Sequence, residues 1–291
     1  QSQVLLALMV TQQGIPVGYR LYNGSTFEGA TLTDAIKYIE QQQQVDQVIF
    51  VGDSAMLSDD NLSLIEQKGK KYIVGARLKN QGEKIKKQIL DKESYKQKDG
   101  LIYKEIALEN GRRLLVNYSD KRAKKDANDR QRSINKLLKK LKKSKNPESF
   151  ISNYGYRKYL KIDNSQQVEL NQNKIDQSAM WDGLHGVITN MRQTPVNDVL
   201  DNYKGLWQVE ESFRITKHDL QTRPIFHWTP QRIRAHIAIC FMALVCLRHL
   251  CYRVALQYQK LSPEVIRRRT YTCTTQYTQT SINQLPVCNS I

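Results

Sequence analysis

The hydrophobic pattern changes period several times along the chain, and each change predicts an element. Val4 to Val10 is an almost unbroken apolar run, the pattern of a strand covered on both faces. Gln12-Gln13-Gly14 supplies a turn and Ile15 to Tyr22 alternates, so the two runs predict a hairpin, closed by Asn23-Gly24. From Thr31 to Gln43, apolar residues at Leu32, Ala35, Ile36 and Ile39 follow helical spacing. Val48 to Val51 reads as a short buried strand ending at Gly52-Asp53. Ser58 is positioned to cap a helix from Asp59 to Lys68, with acids in its first turn and Gly69 as its stop. Lys71 to Ala76 is the next strand, and the series describes a mixed α/β sheet.

Between about Asn80 and Met180 the sequence turns polar and Lys-rich around short strand-like pieces at Ile102 to Ala107, Arg113 to Val116 and Tyr159 to Ile162. Asp120 to Lys145 reads as a helix with Ile134, Leu137, Leu138 and Leu141 on one stripe. Its other faces are crowded with cations, Lys139 and Lys143 among them, against Asp126 and Asp129. A solvated helix face explains such a run by default; its one-sided sign favours phosphate contact. Asp182-Gly183 precedes a strand from Leu184 to Thr189, a helix starts near Asn197-Asp198, and Thr229-Pro230 opens a long helix to about Gln257. The tail from Arg267 is irregular in pattern. The implied division is residues 1–80, a basic insertion at 81–180, a return to the sheet at 181–260, and a tail at 261–291.

Charge narrows the partner. The 291 residues carry 45 Lys and Arg against 28 Asp and Glu, a formal charge of +17, which implies an anionic partner and most often nucleic acid. The five Cys, at positions 240, 246, 251, 273 and 288, lack paired metal spacing and read as buried thiols of a reducing compartment. The most apolar run, Ile237 to Leu247, is too short to span a bilayer and is flanked by Arg234 and Arg248, so it reads as a core helix with no membrane partner. A cytoplasmic, nucleoid-associated protein is the expectation.

The most informative stretch is Tyr203 to Lys217. On a uniform helix Tyr203, Glu210 and Lys217 fall seven apart and within about 20° of one line per step. Trp207, Arg214, Val196 and Val199 flank that line, so Glu210 is expected on a buried face. A Glu there is either bridged to a cation or holds a metal. Asp53 ends a buried strand, where reacting groups collect in open α/β sheets, although a turn or cap role fits it equally.

The spacing of Tyr203, Glu210 and Lys217 resembles the Tyr, Arg, Glu, Lys signature of insertion-sequence DDE transposases, which leaves two, three and six residues between successive members. Trp207 matches the Trp that follows the signature's Arg, and Arg223-Pro224-Ile225 also resembles the family. Leu206 replaces the Arg itself, leaving Lys204 or Arg214 to take its place. The window Val48 to Leu57, with Gly52-Asp53-Ser54-Ala55-Met56-Leu57 and then Ser58 and Asn61, resembles the same group's second-aspartate strand.

The resemblance implies an RNase H-like mixed sheet flanked by helices, with a basic α+β insertion between the Asp53 strand and the Glu210 helix. It implies Asp53 and Glu210 as catalytic metal ligands for Mg²⁺, two ions in an intact site, with Mn²⁺ as a substitute. Such ions stand roughly 3.5–4 Å apart and stabilise the attacking and leaving oxygens. The family's first Asp is expected on a strand ahead of Gln1, so the chain as given is expected to be a weak nuclease or an inactive one. Tyr203 and Lys217 are implied phosphate contacts, and Trp207 either stacks on a displaced base or packs in the core. The implied partners are double-stranded DNA, as terminal inverted repeats and target, and a second copy in a homodimer. Two other readings stay open: an RNase H-like nuclease without strand transfer, and a basic DNA-binding protein without catalysis.

Overall fold

The computed structural model describes residues 4–24, 48–53, 58–143, 158–162, 168–220, 224–258 and 261–266, with residues 31, 34, 36–38, 41, 222, 268 and 269 between and beyond them. The elements begin with β1 (Val4–Val10), β2 (Pro16–Asn23), β3 (Ile49–Gly52), α1 (Asp59–Gln67), β4 (Lys71–Gly75) and α2 (Glu83–Leu90). They continue with β5 (Lys96–Lys98), β6 (Leu101–Ala107), β7 (Arg113–Tyr118), α3 (Asp120–Lys143), β8 (Leu160–Ile162), β9 (Val168–Leu170) and α4 (Gln172–Ala179). The last are β10 (Leu184–Thr189), α5 (Val196–Lys204), α6 (Leu206–Arg214) and α7 (Pro230–Gln257). Two compact units result: residues 48–200, and residues 1–47 together with 201–291.

In the unit of residues 48–200, Leu114, Leu115 and Val116 are successive strand residues pointing to opposite faces, and none is exposed. A strand buried on both sides belongs inside a sheet, and β7 is the fourth strand in the order β3-β4-β10-β7-β6-β5. Only β3 and β4 are parallel; every other neighbouring pair is antiparallel. The strands of residues 96–118 thus hydrogen-bond into the same sheet as β3, β4 and β10. One face is filled by Leu78, Ile89, Ile106, Leu114, Val116 and Leu184, with Ile89 contributed by α2. The helix α2 lies in the polar stretch after Asn80, ahead of Ile102, where the sequence pattern marks no element.

The helix α1 packs on β4 through Leu62 and Ile65, and its cap is the expected one: Asn61 N–H donates to Ser58 Oγ at 3.4 Å. Gly69 follows at φ +64°. Arg112, ahead of β7, forks onto Glu66 of α1 at 2.9 and 3.1 Å and reaches Asp59 at 2.8 Å. The Tyr72 hydroxyl donates to the same Glu66 carboxylate at 2.7 Å. The predicted stripe of α3 forms a second cluster, Ile134 and Leu137 with Tyr159 and Leu160, joined by Leu138 and Leu141. Arg130 of α3 binds Asp182 at both carboxylate oxygens, and Asp126 accepts from Gly183 N–H at 3.1 Å. Gly183 sits at φ +80°, and a Cβ there would stand 2.9 Å from Ser119 O.

In the other unit, β1 and β2 form the predicted antiparallel hairpin, with Gly14 at φ +74° in the turn. Gly14 O accepts from Arg248 Nε at 3.1 Å, and Arg248 Nη1 reaches Glu211 at 2.7 Å. One buried guanidinium therefore ties the hairpin turn and α6 to α7. Tyr19 of β2 packs on Phe241 of α7, ring centroids 4.7 Å apart. Asp34 accepts from Tyr22 OH at 2.8 Å.

Two expectations about α7 need correction. Its 28 residues make it long and apolar enough, by length and composition, to cross a membrane. It is also buried on one stripe only, through Ile237, Cys240, Leu244 and Arg248, while Ile239, Met242, Leu250 and Leu256 are exposed. Residues at i, i+3, i+7 and i+11 share one side of a helix, the side on which β2 and the stretch ending at Leu220 pack. Of the Cys expected to be buried, Cys240 is, Cys246 is exposed and Cys251 is half-buried; positions 273 and 288 lie outside the described residues, as does the tail beyond residue 269.

Candidate functional site

The stretch from Val196 to Asp219 is not one uniform helix. The helix α5 ends at Lys204, Gly205 forms a turn, and α6 begins at Leu206. Beyond Arg214 the chain widens into a π-helical turn over Ile215–Asp219, with Leu220 N–H donating to Ile215 O at 3.0 Å. Such turns are rare and concentrate at functional sites. A ladder of hydroxyls secures this one. Ser212 Oγ donates to Gln208 O at 2.8 Å, Thr216 Oγ1 to Ser212 O at 2.7 Å, and Thr222 Oγ1 to Thr216 O at 2.7 Å.

These breaks decide which side is buried. Val199, Leu200, Ser212, Ile215 and Thr216 face inward, whereas Lys204, Trp207, Glu210, Arg214 and Lys217 are exposed and Tyr203 is half-buried. Glu210, expected on a buried face, stands in solvent instead, because the buried residues of α6 and the π turn are Ser212, Ile215 and Thr216, which lie on the other side. Trp207, expected mainly in the core, is 42% exposed. Of the two roles left open for Glu210, a bridge is not formed with any described residue: Arg214 pairs with Glu211 at 3.7 Å, and Lys204 with Asp201 at 2.8 Å. The result is a solvent-facing row of one carboxylate, two aromatics and several cations.

Asp53 lies in the other unit, exposed, directly after β3. Because β3 and β4 are parallel with Gly52 opposite Val74, Asp53 leaves the sheet at the edge where Ala76 to Asn80 leave β4. Ala76 N–H donates to Gly186 O at 2.8 Å, which brings the start of antiparallel β10 to the same edge. There, Ala76 to Asn80, Arg122, Trp181 and Leu184 to Gly186 line a cavity of about 320 Å³. Three cations and no acid face it. Burial, with Lys158 next, holds the Lys79 ammonium below its usual range. Burial and then Arg122 push the His185 imidazole down to about 4, so it is neutral at pH 7. The cavity is chemically suited to an anion. Sequence reading missed it because Arg77, Lys79, Arg122 and His185 share no motif and meet only through the order β4-β10-β7.

Lys139 and Lys143 are exposed on α3, where the Arg122–Asp126 and Arg132–Asp129 pairs, at 3.8 and 3.9 Å, leave most of the cations unneutralised. The side chain of His218 lies outside the described residues, as does Arg223.

A family model described as a transposase DDE domain matches residues 3–246. The chain belongs to the DDE transposase family. No curated protein matches it. For a DDE transposase, the six-stranded mixed sheet with helices is compatible with an RNase H-like fold. Asp53 and Glu210 stand in separate compact units of this transposase, and each is described within its own. Among the described residues no three of Asp, Glu, His and Cys gather as a metal cluster.

Proposed function

We propose that this DDE transposase serves a bacterial insertion sequence, binding DNA at the element's ends and catalysing Mg²⁺-dependent cleavage and strand transfer. The observation that carries the reading is the exposed row of Trp207, Glu210, Arg214 and Lys217, in a family that works on DNA phosphodiesters. A carboxylate left in solvent beside cations, with no ion pair to a described residue, is open to another charge. Asp53 and Glu210 are the proposed metal ligands, and their hard oxygens are the donor type that Mg²⁺ takes. When bound, the metal supplies charge stabilisation at the oxygens of the phosphate.

The remaining roles belong to the chain. Tyr203, Lys204, Arg214 and Lys217 meet backbone phosphates near the scissile bond, and Lys139 and Lys143 hold more distant ones. In cleavage, water adds at phosphorus as the 3′-oxygen leaves; in transfer, the freed 3′-hydroxyl takes the place of water. Phosphate contact accounts for the +17 charge better than solvation alone does. The protein is proposed to act in the cytoplasm as a homodimer on paired ends.

The test uses duplexes carrying the sequences that flank the coding region, with cleavage and strand-transfer products separated on gels. Glu210→Gln is expected to lower both activities at least about 100-fold while duplex affinity stays within about threefold. Cleavage without transfer in the wild type would favour the simple nuclease. Activity untouched by Glu210→Gln and Asp53→Asn would refute the metal assignment, and duplex binding that responds neither to Mg²⁺ nor to loss of either carboxylate would favour the non-catalytic reading.

A further inference from the structure

Among the described residues, the two most exposed large apolar side chains are close neighbours, Trp228 at 94% and Phe226 at 80%. Single exposed apolar residues are ordinary, but adjacent aromatics held out in water call for a partner. This segment is held. At its start Thr222 is buried and bonds Thr216 O through both its N–H, at 3.1 Å, and its hydroxyl. Between the two aromatics, His227 packs edge-on against His236 of α7 at 5.4 Å. The π turn anchors one side of the segment and α7 the other, and Phe226 and Trp228 project from the fixed piece.

The surrounding charge is of one sign. Lys217 on the π turn and Arg232 and Arg234 in the first turns of α7 are exposed, and none pairs with a described acid. No Asp or Glu occurs between Asp219 and Glu264. Exposed aromatics set among unpaired cations match one ligand chemistry well: phosphates alternating with flat, unpaired bases. A duplex satisfies the cations alone, because its base faces are already stacked on one another. A second copy of this chain, with a net positive charge itself, is the poorer occupant.

We propose that Phe226 and Trp228 form a stacking platform for unpaired nucleobases of single-stranded DNA, with Lys217, Arg232 and Arg234 meeting its phosphates. The inference rests on the DNA-handling reading above and adds a site to it, one suited to the strand set free when an end is opened. Binding of a labelled oligothymidine 20-mer and of a mixed-sequence 20-bp duplex to the full chain, read by fluorescence anisotropy in EDTA, tests it. Phe226→Ala and Trp228→Ala are each expected to weaken single-strand binding about tenfold to a hundredfold, with duplex binding within about twofold. Trp228→Phe should recover most of the loss.

Unchanged single-strand affinity in both alanine variants would overturn the platform, and so would an equal loss on the duplex. A sedimentation shift toward monomer with no selective DNA effect would assign the aromatics to a second copy instead, which also overturns it. Wild-type protein that binds the duplex but not the 20-mer sinks the platform alone, whereas protein that binds neither sinks the DNA reading beneath it.

Discussion

Replacing Arg112 with Met should loosen the unit of residues 48–200 by a predictable amount. Its guanidinium makes two parallel bonds to Glu66, at 2.9 and 3.1 Å, and a third to Asp59 at 2.8 Å. Side-chain exposure is 12% for Arg112 and 26% for Glu66, so water replaces the lost partner only in part. A hydrogen bond to a charged group contributes about 1.5–3 kcal/mol. The two bonds share one carboxylate that already touches solvent, which brings their sum down to about 2–3 kcal/mol. Asp59 is 90% exposed and adds little.

The same pair sets a pH dependence. The bond from Arg112 holds the Glu66 carboxyl below its ordinary value of 4.5, against the opposing effect of burial, and the Tyr72 hydroxyl adds to the lowering. A carboxyl depressed in the folded state stabilises fully above its unfolded pKa and loses that contribution as pH falls through the folded one. The wild-type advantage over Arg112→Met is therefore complete at pH 7 and shrinks below about pH 4.5. Amide hydrogen exchange of β4 and α1, followed by mass spectrometry, reads the effect locally. Exchange should accelerate about 30- to 150-fold at pH 7, with a smaller ratio at pH 3.5. An acceleration under about threefold, or a ratio that holds constant into acid, would refute the reasoning.

Arg248→Met should cost the other unit about 3–5 kcal/mol, because Glu211 and Gly14 O lose a buried partner; an unchanged melting temperature and unchanged exchange in the hairpin would count against it. Gly183→Ala meets both a positive φ and the Ser119 carbonyl, and should cost about 1–3 kcal/mol in urea denaturation. Gly69→Ala, at φ +64° with nothing near the added carbon, should cost less than Gly183→Ala, and equal losses would refute the steric part.

Local chemistry was legible wherever it acts over a few residues. Ser58 caps, Gly69 stops, Ile134 and Leu137 face inward, and Thr229-Pro230 opens a helix, because each choice depends on neighbours within one turn. The burial of Glu210 was misread for a related reason. Extending one helical period from Tyr203 to Glu210 assumes an unbroken ladder, and the break at Gly205 resets the phase between them. Hydroxyl-to-carbonyl bonds from Ser212 and Thr216 leave no hydrophobic trace in the sequence. The strand order was equally hidden. Nothing in Leu184 to Thr189 marks it for a place between β4 and β7, so neither the cation-lined cavity nor the company of Asp53 at that edge could be foreseen.

The bond from Arg248 to Gly14 spans 234 residues. A ribosome adding about 5–20 residues per second needs roughly 10 to 50 seconds to cover that distance. Throughout, the hairpin of β1 and β2 lacks this tie, and a two-stranded ribbon has only marginal stability by itself. Its first strand, Val-Leu-Leu-Ala-Leu-Met-Val, is sticky in that interval. The hairpin turn is thus secured only once Arg248 has emerged, 234 residues after Gly14, and a chain broken off ahead of Arg248 carries the hairpin with no guanidinium to hold its turn.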